Sequence, residues 1–184
     1  MSGKKKVIVF TTGGTIAMKY DPKVNGLVPA VSGEDLAAAV RGLDKVADVE
    51  VREFSNIASP GMTPEMMFQL SKMINEALES DDVAGAVVTH GTDTVEETSY
   101  MLDLLHQSEK PVVLTAAMRG AGDTSPDGPA NIYCAVKTAA SEEARGKGVM
   151  VLLNETIHAA GQVRKTHSAN PATCLLYTSP SPRD

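Results

Sequence analysis

The strongest constraint on the fold is a repeated alternation of short apolar runs with helix signals. Val7-Ile8-Val9-Phe10 runs into Thr11-Thr12-Gly13-Gly14-Thr15 and reads as a buried strand entering a tight loop. Residues 46–54 alternate loosely through Val46, Val49 and Val51 and suggest a second strand. Ala84–Val88, Pro111–Thr115 and Val149–Leu153 supply a third, fourth and fifth. Between them lie helix signals. Ser32-Gly33-Glu34-Asp35 resembles a capping box opening a helix through Leu36, Ala39 and Val40. After a polar loop over residues 55–62, Thr63-Pro64 gives an N-cap followed by proline at the first helical position. Met67, Leu70, Met73, Ile74, Ala77 and Leu78 then fall on one helical face, a stripe that suits core packing. A further helix runs to about His106, and Asp127-Gly128-Pro129 leads into another through Ala140. Apolar, β-branched strands separated by helices predict an α/β fold: a doubly wound, mostly parallel sheet with helices on both faces.

Composition narrows the function classes. The 184 residues suit one domain or a large piece of a two-domain protein. Apolar residues at 42% and charged residues at 22% exclude wholesale disorder. No apolar run approaches the ~20 residues of a membrane span. The start, Met-Ser-Gly-Lys-Lys-Lys, lacks the long apolar stretch of a signal peptide, so the cytoplasm is the expected compartment. A net charge of −6 disfavours a nucleic-acid partner, and Lys4–Lys6 reads as a solvated end. Cys134 and Cys174 form no CxxC pair, so neither a disulfide scaffold nor a zinc site is expected, and no cofactor is called for. Residues 174–184, Cys-Leu-Leu-Tyr-Thr-Ser-Pro-Ser-Pro-Arg-Asp, break the pattern. Back-translated, they resemble a transposon-type sequencing adapter. The expectation is therefore a domain over residues 1–173, incomplete at its C-terminal end, with 174–184 a non-native tail.

In doubly wound sheets, ligands bind beyond the carboxyl ends of the strands. Thr11, Thr12 and Thr15 follow the first strand. Thr89, His90, Thr92, Asp93 and Thr94 follow the third, Arg119 the fourth, and Asn154, Glu155 and, further on, Lys165 the fifth. Gly13-Gly14 lets the backbone turn sharply and approach a ligand, but neither GxGxxG nor GxxxxGK[ST] is present. Thr94 as N-cap with Glu97 as its capping-box partner accounts for Thr94, Glu96 and Glu97 but leaves Thr92 and Asp93 at the strand mouth. A carboxylate there suits a substrate ammonium, and a hydroxyl suits a nucleophile once a base takes its proton. His90 is either that base or a structural histidine. Lys165 is either a surface charge or, if its loop folds back over the sheet edge, a base or orienting cation beside Asp93.

Thr12-Gly13-Gly14-Thr15-Ile16-Ala17 and Thr89-His90-Gly91-Thr92-Asp93-Thr94, with Glu96-Glu97-Thr98, resemble the two signature segments of the bacterial L-asparaginases. Lys110-Pro111-Val112-Val113, Ala117-Met118-Arg119, Asp127-Gly128-Pro129 with Asn131 and Tyr133, and Lys165-Thr166 agree in order and spacing. The likeness runs from about Val7 to Thr173. It implies hydrolysis of a side-chain amide, converting L-asparagine to L-aspartate and ammonia. By position, Thr15 matches the mobile-loop threonine usually taken as the nucleophile, and Thr92, Asp93 and Lys165 match a second catalytic cluster. Ser59 matches a residue binding the substrate α-carboxylate, and Gly91 and Ala117 match backbone contact positions. Pro60 stands where many members have glutamine, and Gly26 where many have an assisting tyrosine, with Tyr20 displaced nearby. Members carry a second, smaller C-terminal domain and work as tetramers, so the resemblance implies a homo-oligomer and an inactive fragment where that domain is missing. Two other readings are a non-hydrolytic amino-acid-binding homologue and an asparaginase-like subunit of a tRNA-dependent amidotransferase.

Overall fold

A computed structural model describes residues 4–14, 16, 18–21, 23, 26–29 and 40–176. The helix expected after Ser32 lies outside the described residues as far as Ala39, as does Thr15. The central layer is a six-stranded sheet. In chain order its strands are β1 (Lys6–Gly13), β4 (Asp48–Ile57), β5 (Val83–Thr89), β6 (Val112–Thr115), β7 (Val149–Leu153) and β8 (Thr156–Ala159). In space they run β4-β1-β5-β6-β7-β8. The first five are parallel, and β8 returns antiparallel to β7 through a tight turn at Asn154 and Glu155, both at positive φ. Two ribbons lie outside this sheet: β2 (Met18–Asp21) with β3 (Gly26–Pro29), and β9 (Val163–Lys165) with β10 (Cys174–Leu176).

Helices cover both faces, as the alternation predicts. On one side α2 (Pro64–Leu78) and α3 (Val95–Leu105) bury Leu70, Ile74 and Leu102 against Ile8, Phe10, Val88 and Leu114. On the other, α1 (Leu43–Val46) and α4 (Gly128–Ala139) bury Leu43, Ile132 and Val136 against Val7, Val9, Val87 and Val113. Strand residues of odd and even number thus go to opposite faces, and both faces are apolar because both are covered. Thr63 caps α2, its hydroxyl accepting from Met66 N, and the apolar stripe of that helix is buried with Met73 packed at its margin.

Two boundaries differ from the sequence reading. Val46 belongs to α1, and β4 starts at Asp48 and runs to Ile57, three residues into the expected polar loop. β4 is an edge strand, so it carries Glu53, Ser55 and Asn56 without fully burying them; Glu53 pairs with Thr11, and the register then shifts before Ile57 pairs with Gly13. The order of connection matters for function. The chain leaves β1 to build β4 on one side and then returns to build β5 on the other. The carboxyl ends of β1 and β5 therefore flank the switch point of the sheet, where a crevice opens.

Candidate active site at the switch point

Two backbones meet at this crevice. Gly13 and Gly14 end β1 at φ +106° and +82°, a region that L side chains rarely adopt. Gly14 N donates to Ile57 O at 2.9 Å, and Thr12 Oγ1 donates to Thr89 O at 3.0 Å, tying the mouths of β4, β1 and β5 together. A Cβ on Gly14 would sit 2.5 Å from the Gly91 Cα, and one on Gly91 would sit 2.6 Å from Ser59 Oγ. Glycine at both positions is what brings the β1 loop, the β5 loop and Ser59 into contact.

Residues Thr92–Thr94 form a short 3-10 turn leading directly into α3. Thr92 is buried at 8% exposure and Asp93 projects outward. Lys165, at the end of β9, reaches this turn: its Nζ donates to Thr92 Oγ1 at 2.9 Å and to Asp93 Oδ1 at 2.6 Å. The Lys165 side chain is only 17% exposed, whereas that of Asp93 is 61% exposed. The loop after the fifth strand does fold back over the sheet edge, and Lys165 is a held cation. Asp93 Oδ2 remains to accept from a cationic ligand.

Ser59 opens a second 3-10 turn, Ser59–Gly61, that packs on the first. Its Oγ accepts from Asp93 N at 3.2 Å, and its carbonyl accepts from Thr94 Oγ1 at 2.7 Å. The Ser59 hydroxyl proton is left to donate to an anionic group. Thr94 is the N-cap residue of α3, as the sequence predicts, but without the side-chain bond of a capping box. The Thr94 hydroxyl makes no cap bond to α3 because the neighbouring turn claims it, and it is Glu96 rather than Glu97 that is drawn into the site. Glu96 Oε1 accepts from Lys165 N at 2.7 Å, and Oε2 accepts from Arg164 Nη1 at 3.1 Å.

His90 is wholly buried and both ring nitrogens are engaged, Nδ1 with Gly91 O at 2.7 Å and Nε2 with Thr98 Oγ1 at 3.1 Å. A carbonyl only accepts, so Nδ1 carries the proton and Nε2 accepts from the threonine. Burial depresses its pKa and favours this neutral ring. Of its two readings the structural one holds, because neither nitrogen is left to act as a base.

Ala117 lies at the mouth of β6, 1% exposed. Its segment is clasped by Asp127, whose carboxylate accepts from Met118 N at 3.1 Å and Arg119 N at 2.9 Å. Asn131 completes the clasp, its Nδ2 donating to Ala116 O at 2.9 Å and its Oδ1 accepting from Asn154 N at 3.1 Å. Sequence reading treated Asp127 as part of a turn and Asn131 as part of a motif. Neither residue's grip on the β6 mouth has a local sequence signal. The structure thus brings together Thr92, Asp93, Lys165, Ser59 and Gly91, and sets Ala117 on the neighbouring strand end.

The arrangement suits a small zwitterionic ligand: a carboxylate for an ammonium, a serine hydroxyl for a carboxylate, and a threonine held by a lysine for proton handling. Comparison with known proteins agrees. Residues 6–178 match the family profile described as Asparaginase, N-terminal. L-asparaginase 2 of Bacillus subtilis is 42% identical over 168 residues, covering 90% of this chain and 45% of that protein. L-asparaginase 2 of Escherichia coli is 41% identical over 169 residues, covering 91% and 48%. The solved structure of a probable cytoplasmic L-asparaginase from Campylobacter jejuni superposes with a TM-score of 0.84 at 40% identity, over 93% of this chain and 51% of that one. The chain thus spans about half the length of the relatives it matches. With a profile match across nearly its whole length, the chain belongs to the asparaginase family.

Proposed function

We propose that this chain forms the substrate-binding and catalytic half of an amidohydrolase that converts L-asparagine to L-aspartate and ammonia. The observation that carries the reading is the double contact of Lys165 Nζ with Thr92 Oγ1 and Asp93 Oδ1 at the switch point of the sheet. Asp93 takes the substrate ammonium, Ser59 the α-carboxylate, and the backbone at Gly91 and Ala117 the reacting amide. Thr15, by its match to the family's loop threonine, attacks the amide carbonyl. The tetrahedral oxyanion is held by backbone N–H groups, ammonia departs, and water releases aspartate from the acyl-threonine. Lys165, donating to Thr92 Oγ1, controls proton transfer there.

The remaining parts of the reading rest on the family match. The active protein is a longer chain with a second domain, it works as a homo-oligomer of tetrameric type, and it resides in the cytoplasm. The 184-residue chain alone has little activity. The reading of residues 174–184 as a non-native tail rests instead on their adapter-like back-translation; the family profile itself runs to residue 178, and Cys174–Leu176 pair with β9. Among the described residues no helix is long and apolar enough to cross a membrane. Ammonia release from L-asparagine by the full-length protein tests the activity. Thr92→Ala is expected to lower it about 100- to 10,000-fold. No release from L-asparagine, D-asparagine or glutamine overturns the reading. Resequencing the source DNA across Thr173 tests the tail.

A further inference from the structure

Lys165 lies on a three-residue strand that, among the described residues, pairs with β10 alone and is not part of the main sheet. Something must therefore fix its height opposite Thr92. Val163 anchors the start of β9 in the core. The end that bears Lys165 is gripped by Glu96, with Oε1 on the Lys165 N–H at 2.7 Å and Oε2 on Arg164 at 3.1 Å. Glu96 stands one helical turn after Thr92 and Asp93. The segment from Thr92 to Glu96 thus holds Lys165 twice, at the tip of its side chain and at its backbone. A carboxylate–amide hydrogen bond is charge-assisted and short enough to act as a fixed spacer.

We propose that Glu96 is a positioning residue whose carboxylate, by holding the Lys165 backbone, sets the Lys165 ammonium at hydrogen-bonding distance from Thr92. The proposal rests on the reading of Lys165 as the group that handles the proton at Thr92. Among the described residues the Glu96 carboxylate bonds to Lys165 N and Arg164 and not to the side chains of Thr92 or Asp93, so its effect falls on the chemical step and not on substrate capture by Asp93 and Ser59.

Two measurements separate this proposal from the function it builds on. Hydrogen exchange at the Lys165 amide needs no turnover. Glu96→Ala is expected to speed it about tenfold or more, because a bond to a charged acceptor is lost. In the full-length protein acting on L-asparagine, Glu96→Ala is expected to lower kcat about 10- to 100-fold, with KM within about twofold of the parent. Glu96→Gln, which keeps an oxygen acceptor, recovers most of the rate. Glu97→Ala removes a neighbouring first-turn acid and serves as the control for helix-end charge. If Glu96→Ala does not fold, Glu96→Asp keeps that charge but withdraws the carboxylate by one methylene, and the same directions are expected. Parental exchange at Lys165, or a kcat loss no larger than that of Glu97→Ala, overturns the proposal. A parent inactive on asparagine overturns the function instead, and the exchange measurement alone then decides the role of Glu96.

Discussion

Space at single residues decides what the crevice tolerates. Gly91 has φ −89°, so conformation does not demand glycine there. Contact does: an added Cβ would lie 2.6 Å from Ser59 Oγ and 2.7 Å from Ser59 Cβ. Gly91→Ala is expected to destabilise the fold by about 1–3 kcal/mol, the usual range for overpacking. Because the clash is with a side chain, adding Ser59→Gly should return part of that loss. Denaturant unfolding of the two single variants and the double variant reads this as a coupling energy, and strict additivity would sink the argument. Lys165→Met separates chemistry from stability at the next residue over. Its partner Asp93 is 61% exposed, so solvent screens the ion pair and its removal should cost at most about 1 kcal/mol. Activity of the full-length protein should fall about 100- to 10,000-fold, because the proton-handling contact at Thr92 is gone. A large stability loss with retained turnover would reverse that assignment.

At the scale of elements, the mouth of β6 depends on side chains from the following helix. Asn131 on α4 bridges Ala116 O and Asn154 N, thereby joining the loops after β6 and β7. Asn131→Ala leaves the buried Ala116 carbonyl without this donor, and a loss of about 1–3 kcal/mol is expected. A lowered urea midpoint at unchanged m-value is the measurement, and an unshifted midpoint would show that water replaces the amide. The same residue illustrates what can be read in a sequence. The five parallel strands, helices α2 to α4 and the layering were legible, because four of the strands are buried runs, β4 keeps a loose alternation through Val49 and Val51, and the helices carry their own period. The strands β8, β9 and β10 were not. Each is three or four residues long, and β8 exposes three of its four residues, so no alternation marks it. Strand-end position and family resemblance pointed to Thr92, Asp93, Lys165, Ser59, Gly91 and Ala117. The grips of Glu96, Asp127 and Asn131 join residues by tertiary contact, for which neither period nor spacing leaves a trace. Thr94 shows the reverse case: its local signal places it correctly at the N-cap of α3, but the packing of the Ser59 turn takes the hydroxyl that would have made the cap bond.

Over the whole molecule, the two-sided core imposes a pH dependence. His90 and His158 are buried and His106 is half-buried, and burial is the leading cause that lowers the pKa of each. The folded state therefore takes up these protons less readily than the unfolded chain, whose histidines titrate near about 6.5. Stability is full above that value and falls as pH drops below it, since the unfolded state then binds more protons. Each fully buried imidazole contributes a slope of up to about 1.4 kcal/mol per pH unit. Exposed carboxylates such as Glu142, whose pKa is lowered by its hydrogen bond to Lys5, add a loss only at lower pH, below about 4.5. The window between about pH 6.5 and 4.5 thus belongs to the histidines. His158 isolates the effect. It is 5% exposed on β8, and among the described residues neither ring nitrogen has a hydrogen-bond partner. His158→Leu removes a titrating group without breaking a bond. Its melting temperature should fall less than the parent's between pH 7 and pH 5, so that it is the more stable protein at pH 5. His90→Leu should not behave in this way, because its ring also holds Gly91 and Thr98 at the crevice, and losing those bonds costs stability at every pH. Parallel melting curves against pH for His158→Leu and the parent would show that the buried imidazole of β8 is not what couples this fold to acid.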